Sequence, residues 1–474
     1  MKIVAGKLFD SYTGDLLENQ LITISPDSGL ILNVQKYEDK QEWFEEKGID
    51  LEDNSVVDLR GQTVLPGLVD THVHMFLHSY SETSWTDQVT RESLAERTIR
   101  ATVHARRTLM AGYTAVRDLG TEGALDADLA LRKCLSGPNP IAVGPRYFTA
   151  NRAIVATGSY GPKNALYPDR DGVEGVMGAE VADGEVECAK AVRRQHFGHC
   201  TDCLTSQIYA DYRFRANMAD VSPSAAAASI GSFTDSEIQT MITEAHRLGV
   251  KIVAHAQDER TLKRLTADAN THVDSIEHGY DMLALLQNVQ PGGNLFASPT
   301  TTPEPRPLFW NPTLAVYYSG GAARSAAWQR AAASFRAFLQ KRPRDVRIAC
   351  GGDTGAFAHG DNALEMQLMV GLGADWREVL QWGTRAGWEC IRSVRWEGGE
   401  GAARLARVEQ LQEDTRLVGD NEVPFGVVRK GFAADIIATM GDLENNFGHA
   451  VDKSNISFVM KGGKIYKRGG KEVV

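Results

Sequence analysis

Residues 64–74 read VLPGLVDTHVH, and the rhythm of the chain changes across them. Upstream of Pro66 the apolar runs are short and broken by turn residues: MKIVAGKLF (1–9), LITISPDSG (21–29), LILNVQ (30–35) and SVVDLRGQTVL (55–65). Period-two alternation punctuated by Gly, Asp and Asn predicts small antiparallel strands. The charged interruption at 38–53, EDKQEWFEEKGIDLED, predicts a helix or a loop.

Downstream of Pro66, short apolar runs alternate with amphipathic segments. GLVDTHVH (67–74) precedes TRESLAERTIRATVHARRTLMAG (90–112), and YTAVRDLG (113–120) precedes GALDADLALRKCL (123–135), with GPRYFTAN (144–151) following. DSEIQTMITEAHRLG (235–249) leads to VKIVAHA (250–256), and VDSIEHG (273–279) to DMLALLQNV (281–289). AAWQRAAASFRAFLQKRP (326–343) leads to VRIACGGD (346–353), and two further helical stretches follow. Strand and helix in alternation predict an α/β fold whose parallel sheet closes into a barrel. The tail, FGVVRKGFAADIIATMG (425–441) and ISFVMKGGKIYKRGGKEV (456–473), returns to the strand-and-turn pattern. The expected organisation is one small β-domain built from both chain ends, residues 1–65 and 416–474, with the barrel (66–415) inserted between them. The runs SPSAAAASIG (222–231) and SPTTTPEPRPLFWNP (298–312) read as loop insertions.

With 474 residues, 43% hydrophobic and 24% charged, the composition is that of a soluble globular enzyme. A net charge of −10 repels nucleic acid and anionic membrane, so neither is expected as a partner. No run reaches the roughly 18 apolar residues of a membrane span. The first residues enter a strand pattern without a signal-peptide core, which makes a cytoplasmic location the expectation. The six cysteines are scattered, which argues against a disulfide framework.

His72 and His74 stand two apart on a predicted strand, so both imidazoles point to one face and can reach one metal. Twelve histidines in the chain make about 0.3 H-x-H matches expected by chance, so the pair needs context. Downstream runs supply it. His255 lies at the end of VKIVAHA, His278 near the end of VDSIEHG and Asp353 at the end of VRIACGGD. Parallel barrels place their chemistry at the C-terminal ends of their strands. Five metal-ligating side chains at four strand ends are poorly explained as core residues.

VLPGLVDTHVH, AHA, SIEHG and GGDTGAFAHG (351–360) together resemble the amidohydrolase superfamily, in the branch of imidazolonepropionase-like enzymes, Xaa-Pro dipeptidases and ochratoxinase. The likeness runs on through FGVVRKGFAADIIATMGD (425–442) and FVMKGGKIY (458–466). It implies a (β/α)8 barrel inserted in a split β-sandwich made of both chain ends. It also implies one or two divalent ions, zinc foremost, with His72 and His74 at the more buried position and His255 and His278 at the second. Asp353 would bind metal and move protons. The implied reaction is hydrolysis of an amide or cyclic amide C–N bond in a small molecule: hydroxide on the metal attacks the carbonyl, and Asp353 passes the proton to the leaving nitrogen. A homo-oligomer is implied by analogy alone.

The chain departs from this pattern at one place. Binuclear members of the branch carry a strand-4 lysine that is carboxylated and bridges both metals, whereas SQIYADYR (206–213) has Gln207 there, and no lysine lies between Lys190 and Lys251. Three outcomes follow. The site could hold one metal, on His72, His74 and Asp353 or on His255 and His278. Cys200 or Cys203 could bridge. Or hydrolysis could be lost, leaving a binding or assembly protein. The same scaffold also supports decarboxylation, isomerisation or hydration. Cys200 and Cys203 lack the second half of a zinc knuckle, so buried core is the favoured reading for them. Tyr209 and Arg213, just after strand 4, are candidate substrate contacts, Arg213 through its bidentate fork. His359 is a third such candidate. His104, His196, His246 and His449 are expected on the surface.

Overall fold

The computed structural model describes residues 1–137, 139–161, 178–199, 205–213, 229–296, 306–319, 325–412 and 422–474. Strands β1 (Lys2–Phe9), β2 (Leu16–Ile24), β3 (Ile31–Lys36) and β4 (Val56–Pro66) lie in one sheet, with β2 antiparallel to β1 and β4 parallel to it. Between β3 and β4 the charged interruption forms a short helix, Gln41–Glu46, whose Phe44 is buried.

The chain then leaves this sheet through Gly67. A Cβ there would stand 2.1 Å from Thr114 Oγ1, so only glycine lets the next strand pass so close. The strands that follow are β5 (Leu68–Val73), β6 (Tyr113–Asp118), β7 (Arg146–Thr149), β8 (Ile154–Val155), β9 (Glu180–Val181) and β10 (Thr205–Tyr209). After a small ribbon, β11 (Asp211–Arg213) with β12 (Ser229–Gly231), come β13 (Lys251–Ala256), β14 (Ser275–His278), β15 (Leu308–Asn311) and β16 (Val346–Ile348). The order β5-β6-β7 and the order β16-β15-β14-β13-β10-β8-β9 are parallel throughout. Thr71 donates its backbone N–H to Cys350 at 2.9 Å, and Val73 bridges Thr354 in parallel, which sets the end of the last strand beside the first. This is the α/β barrel that the alternation predicts.

Strands β17 (Ile436–Thr439), β18 (Ile456–Lys461), β19 (Lys464–Arg468) and β20 (Lys471–Glu472) return to the first sheet. β17 pairs antiparallel with β4, giving the order β20-β19-β18-β17-β4-β1-β2-β3 from both chain ends. Ile3, Ala5, Ile22, Val57, Val64, Ile436, Ala438 and Phe458 form its apolar core.

The helices that wrap the barrel carry clear start signals. Thr234 and Glu237 close a reciprocal cap on helix Asp235–Arg247, worth about 1 kcal/mol. That helix buries Ile238, Met241, Ile242 and Ala245 in the main core, which also holds Ile252 and Ala254 of β13. Helix Leu94–Met110 starts at Ser93, whose hydroxyl accepts from the Glu96 N–H. One expectation fails on this helix. His104 is buried, not on the surface, with its Nδ1 bonded to Met75 O at 2.8 Å. His449 is exposed, and His196 and His246 are half-buried, His246 bonded to Asp274. Cys200 and Cys203 lie outside the described residues, as do most of the two expected loop insertions.

Candidate active site

β5 delivers His72 and His74 to the mouth of the barrel, and the segment after β16 is zipped to them. The Asp353 N–H donates to His72 O at 3.0 Å, and the His74 N–H to Thr354 O at 2.7 Å. Gly351 permits this approach, since a Cβ there would stand 2.8 Å from His72 Cβ. His278 ends β14, and His255 lies in β13, in register with Tyr209 of β10.

The structure brings the five expected ligands together. His74 Nε2 lies 3.2 Å and His72 Nε2 3.6 Å from Asp353 Oδ1. One ligand atom each from His72, His278 and Asp353 falls within 4.8 Å of the others. Ring centroids are 5.4 Å apart for His72 and His74, 5.1 Å for His72 and His278, and 4.3 Å for His255 and His278. His278 and Asp353 have φ of +71° and +61°, and Thr313, which bonds His278 Nδ1 at 2.8 Å, has +48°. Left-handed backbone in three non-glycine neighbours costs energy that surrounding packing must supply, as at many functional sites.

A second layer of buried polar groups aims the rings. Glu277 Oε2 accepts from His72 Nδ1 at 2.8 Å. Its Oε1 accepts from Arg117 at 2.8 Å, Ser275 at 2.7 Å and Asn311 at 2.9 Å. Burial alone would raise the Glu277 carboxyl, but Arg117 and His72 hold it down at about 2. Gly120 O accepts from His74 Nδ1 at 2.9 Å. Both Nδ1 atoms being committed, both Nε2 atoms face the site. Asp70 ties the floor together, accepting from the backbone of His72 and Gly352 and from the side chains of Thr354 and Asn362.

The charge balance follows from these contacts. Burial would raise the Asp353 carboxyl, but His72, His74 and His278 pull it below the usual carboxylate range. Burial would lower His74, but its bond to Asp353 raises it to about 10. Burial lowers His278 to about 4, helped by the charge of His72. The ensemble is therefore a carboxylate among imidazoles, with His74 favoured in its charged form by its bond to Asp353. That donor set suits a borderline divalent cation.

The expected substrate contacts are placed differently from one another. Tyr209 is buried beside His255, ring centroids 4.8 Å apart, and its hydroxyl donates to Glu122 at 3.0 Å. The side chain of Arg213 lies outside the described residues. His359 is buried close to His74 but outside the group of converging ligand atoms. It stacks on His104 with centroids 4.3 Å apart and donates from Nε2 to Leu77 O at 2.9 Å.

Glu277, Arg117 and Asp70 were not singled out by sequence reasoning. Their signal was present: each is a charged residue inside an otherwise apolar strand run, where an unpaired charge is rarely tolerated. Glu277→Gln should leave Arg117 short of its anionic partner. Denaturant unfolding is expected to show a loss of about 1–3 kcal/mol.

Glu365, on helix Leu364–Gly371, is buried with Oε2 accepting from the Ala315 N–H at 2.7 Å. Burial raises its carboxyl to about 8, with Asp70 and Asp353 adding to the effect. Between the ordinary glutamate range and about pH 8 the folded chain thus holds a proton that the unfolded chain has lost. Stability therefore falls as pH rises through that window. Glu365→Gln removes the titration, so it is expected to exceed the parent in stability near pH 9 and to approach it near pH 4. Unfolding curves at the two pH values check this.

The amidohydrolase family profile matches residues 63–392. No curated protein matches the chain. Among solved structures, it is similar to a Xaa-Pro dipeptidase with methionine bound in the active site: 23% identity over 98% of this chain and 99% of that one, with a TM-score of 0.68. Ochratoxinase from A. niger is similar at 20% identity over 98% and 96% of the two chains, with a TM-score of 0.66. A prolidase complexed with N-methylphosphonate-L-proline is similar at 20% identity over 99% and 100%, with a TM-score of 0.68. At these identities the likeness is one of fold.

Proposed function

The chain belongs to the amidohydrolase family, and from that premise we propose that it is a metal-dependent hydrolase of an amide or cyclic amide bond in a small molecule. The observation that carries the proposal is the convergence of His72, His74, His255, His278 and Asp353 at the C-terminal ends of the barrel strands. These five residues would hold the cation, for which zinc is the first choice. A divalent cation there supplies Lewis acidity toward the scissile carbonyl and lowers the pKa of water toward about 7.

The protein's own groups do the rest. Asp353, kept ionised by its imidazole neighbours, takes the proton of the attacking water at its carboxylate and hands it to the leaving nitrogen. An amide nitrogen leaves poorly as an anion, so this delivery matters as much as the attack. Glu277 and Gly120 keep the His72 and His74 rings oriented throughout. Tyr209, with its hydroxyl committed to Glu122, offers the substrate a rigid aromatic wall next to His255. Arg213 remains the proposed contact for a substrate carboxylate, and His359 a supporting group close to the site.

Similarity to a Xaa-Pro dipeptidase and a prolidase makes dipeptides and N-acyl amino acids the first substrates to test. Incubation of such a panel with the purified protein, followed by mass analysis, should show one substrate split into an acid and an amine. No described helix is long and apolar enough to cross a membrane. We extend the reading to a cytoplasmic homo-oligomer. The exposed Ile99 and Val103, one turn apart on helix Leu94–Met110, support an interface there.

A further inference from the structure

Gln207 sits in the middle of β10, 1% exposed, where a buried parallel strand ordinarily carries an apolar residue. Val253 stands opposite it on β13, and two residues on, Tyr209 stands opposite His255. Residues two apart on a strand share a face, so Gln207 projects into the same interior as Tyr209 and, across the strand pair, His255. Its Oε1 has no hydrogen-bond partner among the described residues. That oxygen lies 3.7 Å from where a Cβ on Gly120 would stand, and Gly120 is the residue whose carbonyl holds His74. The unpaired oxygen is therefore placed between the strand that bears His255 and the loop that orients His74.

An amide oxygen left unpaired in the interior is costly, and a structure that keeps one usually has a partner for it in its working state. Charge decides how many cations that partner can be. Among the described residues Asp353 is the only carboxylate in the converging group. Glu122 and Asp118 also act on His74. Glu122 accepts from Trp85 and Tyr209, and Asp118 from Tyr147 and the Met75 and Gly120 N–H groups. Glu277 is neutralised by Arg117, and Asp70 is taken up by backbone and side-chain donors. One divalent cation leaves the site with a modest positive charge that a deprotonated water removes. Two would leave a large uncompensated charge in a buried pocket. A neutral oxygen ligand adds coordination without adding charge, which fits one ion and not two.

We propose that the side-chain oxygen of Gln207 is a neutral ligand of a single divalent cation in this site; the proposal rests on the metal-hydrolase reading above. The test is zinc binding by the full chain, first stripped with a chelator, then titrated calorimetrically, with metal content measured by elemental analysis. The expected result is about one zinc per chain. Gln207→Leu should weaken binding by about tenfold or more. Gln207→Glu, which adds a negative charge at the same reach, should tighten it by a similar factor. Melting curves of the metal-free proteins establish that both variants fold, and the opposite signs separate a ligand from a packing residue. Two zinc ions per chain, or both variants binding within about twofold of the parent, would overturn the inference. His278→Ala separates the two levels of the argument. If it weakens zinc binding while the Gln207 variants do not, only the role of Gln207 falls. If the parent chain binds no zinc, the metal-hydrolase reading falls with it.

Discussion

Asp353→Asn is expected to lower kcat by about 10²- to 10⁴-fold, with little change in KM. The substitution keeps the size of the side chain and one acceptor oxygen but removes the group that can take a proton. Asparagine also tolerates the left-handed backbone at this position, φ +61°, better than most residues, so the local turn survives. The parent carboxyl is held below the usual range by His72, His74 and His278. Being depressed in the folded state, it contributes stability at pH values above the unfolded aspartate pKa of about 3.9. That contribution is lost as the pH falls through the lower folded value. The acid limb of the parent activity should therefore not report Asp353 near neutral pH. Steady-state kinetics on the two proteins, with melting curves as a control, give the result. Unchanged kcat in a folded variant would remove Asp353 from the reaction.

Removal of divalent metal is expected to abolish turnover and to lower the melting temperature, both restored by adding zinc. A cation that binds only the folded chain stabilises it by about 4 kcal/mol at a thousandfold excess over Kd. The metal-free site adds a second, more specific expectation. His74 there holds a proton up to about pH 10 because of its bond to Asp353. A cation that takes the His74 nitrogen must displace that proton, so affinity should rise with pH below that value. At neutral pH, uptake should release about one proton per chain. Calorimetric titration in buffers of different ionisation enthalpy measures it directly. Metal uptake with no proton release would contradict the assignment of His74 as a ligand.

The architecture was legible because the period of the apolar pattern switches at Pro66 and switches back near residue 425. The ligands were legible because each comes at or near the end of an apolar run, which is where a parallel barrel exposes its strands. What escaped was set by tertiary contact. Glu277 reads as the residue before His278, and only the folded barrel shows it between His72 and Arg117. The acceptor that aims His74 is a backbone carbonyl, of Gly120, and no sequence pattern marks it. His104 was misplaced for another reason. Arg97, Ala101, His104, Ala105 and Thr108 follow a helical period, and all five are buried on one face. A helical context alone does not say which face a residue takes; its place in that period sets His104 on the buried one. Gln207 was noticed as a departure at a ligand position, but that its oxygen is buried without a partner is a fact of the fold alone.

The central claim is that this barrel hydrolyses a C–N bond with Asp353 and the surrounding histidines. Mass spectrometry of the products formed in water carrying heavy oxygen tests it most directly, using the panel of dipeptides and N-acyl amino acids. The expected result is two fragments, with one heavy oxygen in the new carboxylate, and neither appears after chelation or in Asp353→Asn. A product of unchanged mass, a loss of carbon dioxide, or cleavage that survives in Asp353→Asn would contradict it.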